Sequence, residues 1–377
     1  MNCTLKQYID ASREELFSLL RTLCLIPAPS HHEEKRAAFC KEWLESVGAK
    51  GVYIDKALNV IYPLNCEGSN EITVFVAHTD TVFPDTEPMP YTDDGEYVRC
   101  PGVGDDTASL AVMLMMAKYY AQNGIQPKGG ILFVANSCEE GLGNLKGTRQ
   151  LFEDYKGRIK QFVSLDSNID CIADRCVGSH RYAVEVLTEG GHSYLDFGKK
   201  NAIAALSEIV VALYAIDLPH KEGSRVTMNV GEISGGTSVN TIAQSAKMLC
   251  EYRSDDTELM SFMQGEFARI FEEASKGEVS VKVTMIGDRP CAKGVDADAL
   301  EHLRRISFAV VKGAIGSEPV FRSSSTDCNI PLSLGIPSIC VGVYDGGGQH
   351  TREEWVKKHS LLPGLEIAIR MAEELTK

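Results

Sequence analysis

The sequence predicts an α/β chain interrupted by a separately organised segment, and three observations lead there. Short apolar, β-rich runs at Ile72–Ala77, Ile131–Ala135, Phe162–Leu165 and Ile339–Val343 each pass at once into polar residues. Helical spacing of apolar residues fills intervals between them, most clearly over Thr107–Ala121. From about Gly178 to Asp288 the rhythm changes, and afterwards the first pattern resumes. Uninterrupted apolar strands alternating with helices indicate a sheet covered on both faces. In such sheets ligands sit beyond the carboxyl ends of the strands.

The chain opens with two amphipathic helices, over Glu14–Leu25 and Glu33–Val47, separated by Pro27 and Pro29. In the interrupting segment a strand at Tyr182–Leu187 is followed by a helix at Ala202–Ala215 and strands at Thr227–Ile233 and Ala246–Tyr252. A helix at Asp256–Ala274 and a strand at Val279–Met285 complete it. This β-α-β-β-α-β order is that of a ferredoxin-like module. Residues 1–177 and 290–377 are therefore expected to form one domain and 178–289 the insertion.

With 377 residues, 44% of them hydrophobic, the chain can bury a large core. A net charge of −14, with no concentration of Lys and Arg, disfavours nucleic acid as a partner. No segment reaches the roughly 18 apolar residues of a membrane span, and the first residues carry no basic stretch followed by an apolar one. A cytoplasmic protein without a membrane partner is expected. The twelve cysteines show no CxxC and no framework spacing, which fits reduced thiols buried as small hydrophobes. Cys171 and Cys176 are close enough to pair or bind metal, but no histidine accompanies them.

The chemistry concentrates at the strand ends. His78 and Asp80 stand two residues apart as the strand Ile72–Ala77 runs out. Such a pair describes a polar strand end as well as a metal-ligating imidazole whose other ring nitrogen is held by a carboxylate. In Pro101-Gly-Val-Gly-Asp105-Asp106 two acids open a helix, where capping and the helix dipole already favour negative charge. Glu139 and Glu140 follow the strand at Ile131–Ala135 and repel one another unless a cation or proton relieves them. Asp166 ends another strand, and His350 lies in the glycine-rich Asp345-Gly-Gly-Gly-Gln-His. Together His78, Asp105, Glu140, Asp166 and His350 form a mixed nitrogen and oxygen set suited to zinc, cobalt or manganese. Nothing resembles a phosphate-binding glycine loop or a nucleophilic serine elbow.

The order HTD, PGVGDD, CEEG, LD and a late GGGQHT resembles the M20 family of cocatalytic metallopeptidases, which includes peptidase T, dipeptidases, carboxypeptidase G2 and deacylases. The resemblance covers nearly the whole chain. It implies a zinc-peptidase-like α/β/α catalytic domain carrying an inserted ferredoxin-like lid, which in dimeric members also pairs the subunits. It further implies two divalent cations, with Asp105 bridging them, His78 and Asp166 completing one and Glu140 and His350 the other. Asp80 would then support His78, and Glu139 would act as general base on a water whose pKa falls from 15.7 towards about 7. His192, in Gly190-Gly-His-Ser193, matches the lid histidine that stabilises the oxyanion. Asn240 and Arg253 match lid positions that contact substrate, the arginine being suited to a terminal carboxylate.

Members cleaving dipeptides or amino-terminal residues tend to carry Asp at the place of Asp166, whereas deacylases more often carry Glu. A small peptide is therefore the expected substrate, with an N-acyl amino acid as the alternative and a catalytically silent metal-binding protein as a second. Two departures mark a less typical branch. Thr107 stands where many members have Lys, and no proline follows soon after His192-Ser193.

Overall fold

The computed structural model describes residues 5–277 and 279–377. The chain divides into two compact units, one made of the residues up to Cys176 with Lys293–Lys377, the other of Val177–Ala292.

An eight-stranded sheet organises the first unit. From edge to edge it runs Tyr53–Ile54, Val60–Leu64, Gly130–Asn136, Ile72–His78, Ile159–Ser164, Ser338–Val341, Cys171–Cys176 and Val320–Ser324. The strands Gly130–Asn136, Ile72–His78, Ile159–Ser164 and Ser338–Val341 are mutually parallel, so their carboxyl ends share one edge of the sheet. Every residue of Ile72–His78 and of Gly130–Asn136 is buried, because side chains alternate between two covered faces. Phe75, Ala77, Phe133 and Val341 pack with the helices Leu5–Cys24, Ser109–Asn123 and Leu361–Leu375. Val74, Val76, Leu132 and Cys340 face the other way, towards Leu151, Phe152 and Leu332. Ser109–Asn123 is apolar around most of its circumference, since it is buried between the sheet and the two terminal helices.

The first helix begins at Leu5, well before the expected Glu14. Leu5, Tyr8 and Ile9 continue its apolar stripe onto the core, and the Tyr8 hydroxyl donates to the Met115 carbonyl at 2.8 Å. A four-stranded ribbon of very short strands, Gly346–Gly347, Trp355–Lys357, Tyr97–Arg99 and Thr92–Asp93, had no signature in the sequence. Two to three residues cannot display a period. No described cysteine is in a disulfide and each is buried, Cys171 and Cys176 included, and Cys3 lies outside the described residues. No helix among the described residues is long and apolar enough to cross a membrane.

The second unit has the ferredoxin-like order. Its antiparallel sheet runs Val226–Gly235, Ser245–Ser254, Gly178–Leu187, Ser280–Arg289. The helices Ala202–Tyr214 and Thr257–Ser275 cover the face formed by Tyr182, Val184, Val186, Met248 and Tyr252. Asn201 and Asp256 cap these helices, each accepting from two backbone N–H groups of the first turn.

Candidate metal centre

Because the central strands are parallel, their ends deliver the expected residues to one edge. His78 closes its strand with its ring 1% exposed. Its Nε2 lies 3.0 Å from Asp105 Oδ1 and its Nδ1 lies 3.0 Å from the backbone oxygen of Asp80. The Asp80 carboxylate, expected as the partner of that ring, is farther off at 3.4 Å. It works mainly on the backbone: Oδ1 accepts Glu139 N–H at 2.9 Å, and Oδ2 accepts Glu140 N–H at 3.0 Å and the Ser30 hydroxyl at 2.7 Å. Asp80 thus ties the strand end bearing His78 to the loop bearing both glutamates.

Neither Asp105 nor Asp106 caps the helix Ser109–Asn123, whose amino end has no side-chain cap. A tight turn over Val103–Ala108, with a cis Asp105–Asp106 peptide, precedes that helix. Asp105 points one oxygen at each histidine, with Oδ1 3.0 Å from His78 Nε2 and Oδ2 3.1 Å from His350 Nε2. Asp106 Oδ2 accepts the His78 backbone N–H at 3.0 Å. His350 also lies 3.3 Å from Glu140 Oε1. Ligand atoms of His78, Asp105 and Glu140 fall within 4.8 Å of one another, and so do those of His78, Asp106 and Asp166.

The electrostatics describe excess negative charge. Burial, reinforced by neighbouring carboxylates, pushes Asp106 and Asp166 well above the usual carboxylate range and Glu140 up to about 7. Burial opposes the ionised form of Asp105 too, but hydrogen bonds from His350 and His78 hold it well below that range. Hydrogen bonds to Asp105 and Asp80 raise His78 against its burial, and Asp105 and Glu140 push His350 up to about 10. These residues fit divalent cations. Asp106 Oδ1 is buried without a hydrogen-bond partner, and the donors gathered here are imidazole and carboxylate.

Sequence reasoning assigned no place in the site to four acids here. Glu33 Oε1 accepts Cys138 N–H at 2.9 Å, just before the paired glutamates. Asp327 takes Asn136 Nδ2 at 2.6 Å and the Thr148 hydroxyl, and burial with the nearby Glu139 pushes it up to about 6. Glu354 binds the turn that carries Asp105, and Asp106 is the fourth. Apart from Asp106, beside a residue already singled out, no local pattern marks them. At Thr107 the hydroxyl lies 3.4 Å from Nη1 of the fully buried Arg36, so a cation from another helix stands beside this position.

In the second unit His192 lies on a two-strand ribbon, Gly191–His192 against Thr241–Ile242. Gly190 is required there: its φ is +68° and a Cβ would lie 2.1 Å from the Gln244 side chain. Asn240 O accepts Ser193 N–H at 3.0 Å, which places Asn240 beside His192. Arg253 is engaged within its own sheet, its Nε 2.7 Å from Glu251 Oε1. It sits near the far end of the strand Ser245–Ser254, whose first residue lies close to the ribbon. Eight residues at about 3.3 Å each separate Arg253 from that first residue.

Comparison with known proteins bears on this geometry. Residues 74–374 match the model of peptidase family M20/M25/M40. The chain belongs to that family. An uncharacterized Bacillus subtilis protein, YqjE, is 25% identical over 332 residues, covering 85% of each chain. Among solved structures, a tripeptidase from Staphylococcus aureus superposes with a TM-score of 0.77 at 21% identity, covering 97% of this chain and 98% of its own. The aminopeptidase PepT from Bacillus cereus gives 0.74 at 22% identity, covering 97% and 99%. Membership of the M20 family accounts for the α/β/α layers, the ferredoxin-like insertion and a metal-ligand cluster at the carboxyl edge of the sheet.

Proposed function

We propose that this M20 chain is a two-metal hydrolase that cleaves peptide bonds of small peptides, with zinc as the metal and Glu139 as general base. One observation carries the reading: the Asp105 carboxylate presents separate oxygens to His78 and His350. A single-ion site needs no such arrangement, whereas a pair of ions is served by a carboxylate between them. In this reading His78 and Asp166 complete one side, and Glu140 and His350 the other. When bound, two divalent ions supply an activated water and polarise the scissile carbonyl.

The chain's own residues do the rest. Glu139 is 4% exposed on a loop fixed through the backbone by Asp80 and Glu33, so its carboxylate is held to accept a proton from the attacking water and pass it to the leaving amine. His192 accepts Tyr194 N–H at Nδ1, 3.2 Å away, and a neutral imidazole accepting there carries its proton on Nε2. That N–H is the donor assigned to the developing oxyanion. Replacing His192 with Ala should lower kcat by about 10²–10³ while changing KM much less; steady-state kinetics on one good peptide check this.

Asn240 and Arg253 are assigned to the substrate. One module cannot bring both to one small peptide, since they lie towards opposite ends of a strand. A homodimer joined through the inserted modules answers that, with Asn240 and His192 of one copy serving the site whose Arg253 comes from the other. Reduced, buried thiols suit the reducing conditions of the cytoplasm.

Asp at position 166 favours peptides over N-acyl amino acids, and likeness to a tripeptidase and to an aminopeptidase supports the same choice. The experiment is hydrolysis of free dipeptides, tripeptides and N-acetyl amino acids by metal-loaded and chelator-treated protein. Chelator-sensitive release from free peptides is expected. Release from N-acetyl amino acids alone would overturn the substrate class.

A further inference from the structure

We propose that Glu354 is a positioning residue of the metal centre, a buried carboxylate that locks the turn carrying Asp105 to the hairpin carrying His350. The inference rests on the metal-hydrolase reading above. Glu354 is fully buried. Its Oε2 accepts Gly102 N–H at 2.7 Å, and its Oε1 accepts Gly104 N–H and Asp105 N–H, each at 2.8 Å. Three backbone donors within four residues thus converge on one side chain. That turn presents the carboxylate facing both histidines.

Glu354 is itself fixed from both sides. Its carbonyl accepts Cys100 N–H at 3.2 Å, and the strand that follows it, Trp355–Lys357, pairs with Tyr97–Arg99 and with Gly346–Gly347. His350 occupies the connection between Gly346–Gly347 and Trp355–Lys357, four residues before Glu354. The turn leaves no slack for another arrangement. A Cβ on Gly104 would meet Glu354 Oε1 and the Tyr344 ring, each at 3.0 Å. A displacement of the Glu354 carboxylate therefore moves Asp105 relative to His350, and the separation of these two sets whether the centre can close around its ions.

Carboxylates that orient metal ligands without touching the ion are worth about 10- to 100-fold in metal affinity or activity. The test is zinc affinity by competition with a chromophoric chelator, read on wild type, E354Q and E354A, with folding followed by circular dichroism. E354A should bind zinc about 10- to 100-fold more weakly. E354Q should fall between, because its oxygen can still accept from Gly104 and Asp105 while its amide NH2 opposes the Gly102 N–H. Leu303→Ala, which removes a fully buried contact in the helix Ala297–Ile315, serves as the control for general destabilisation and should keep wild-type affinity.

A folded E354A variant with wild-type zinc affinity overturns the proposal, as does equal weakening in Leu303→Ala. If E354A does not fold, E354Q decides: reduced affinity supports the proposal and unchanged affinity overturns it. Wild-type protein that takes up no zinc removes both the metal-hydrolase reading and this inference. Zinc uptake without peptide hydrolysis removes only the former's catalytic part.

Discussion

Glu139→Gln yields a folded protein with its metal content intact and peptide turnover lower by about 10³–10⁴, the upper range for loss of a general acid–base group. The expectation follows from position. Glu139 adjoins Glu140 in sequence and shares its buried loop, yet it belongs to neither cluster of ligand atoms. Gln keeps the shape of the side chain and cannot take a proton, so the loop held by Asp80 and Glu33 stays in place. Metal analysis and single-turnover kinetics on the same preparation separate the two effects. Activity within a few fold of wild type would remove Glu139 from the reaction.

Asp105→Asn produces the second large effect, and on a different observable. The amide keeps one acceptor oxygen and loses the charge, so only one of the two histidines faces an oxygen. Bound metal should fall below one ion per chain under conditions that saturate wild type with two, and turnover should fall with it. Circular dichroism should remain that of a folded protein, because Glu354 grips the backbone of the turn rather than the Asp105 side chain. Retention of both ions would mean that Asp105 does not stand between them. The two substitutions together distinguish a proton-handling residue from a ligand.

Much of this was legible in the sequence because the elements concerned are long and strongly patterned. The strand read as Ile72–Ala77 is Ile72–His78, and the helix read as Ala202–Ala215 is Ala202–Tyr214. The whole β-α-β-β-α-β insertion is present in order, since each strand alternates and each helix has an apolar stripe. His78, Asp105, Glu140, Asp166 and His350 stood out for a related reason: each lies where a readable strand or glycine-rich loop gives way to polar residues.

What escaped notice depends on contacts between distant parts of the chain. Glu354 binds the N–H of a residue 249 positions away, and Asp327 binds Asn136 across 191. In the sequence both look like ordinary loop acids. The role of Asp80 was only half legible, since its closeness to His78 suggested a ring partner and nothing local revealed its grip on Glu139 and Glu140. The distance between Asn240 and Arg253 required the register of the strand Ser245–Ser254.

Metal stoichiometry tests the central claim most directly. Purified protein, saturated with zinc and freed of excess ion, should carry two ions per chain by elemental analysis. His78→Ala and His350→Ala should each reduce that number, as expected if Asp105 links two sites that depend on different histidines. One ion per chain in wild type, or stoichiometry unchanged by either substitution, would contradict a two-metal centre.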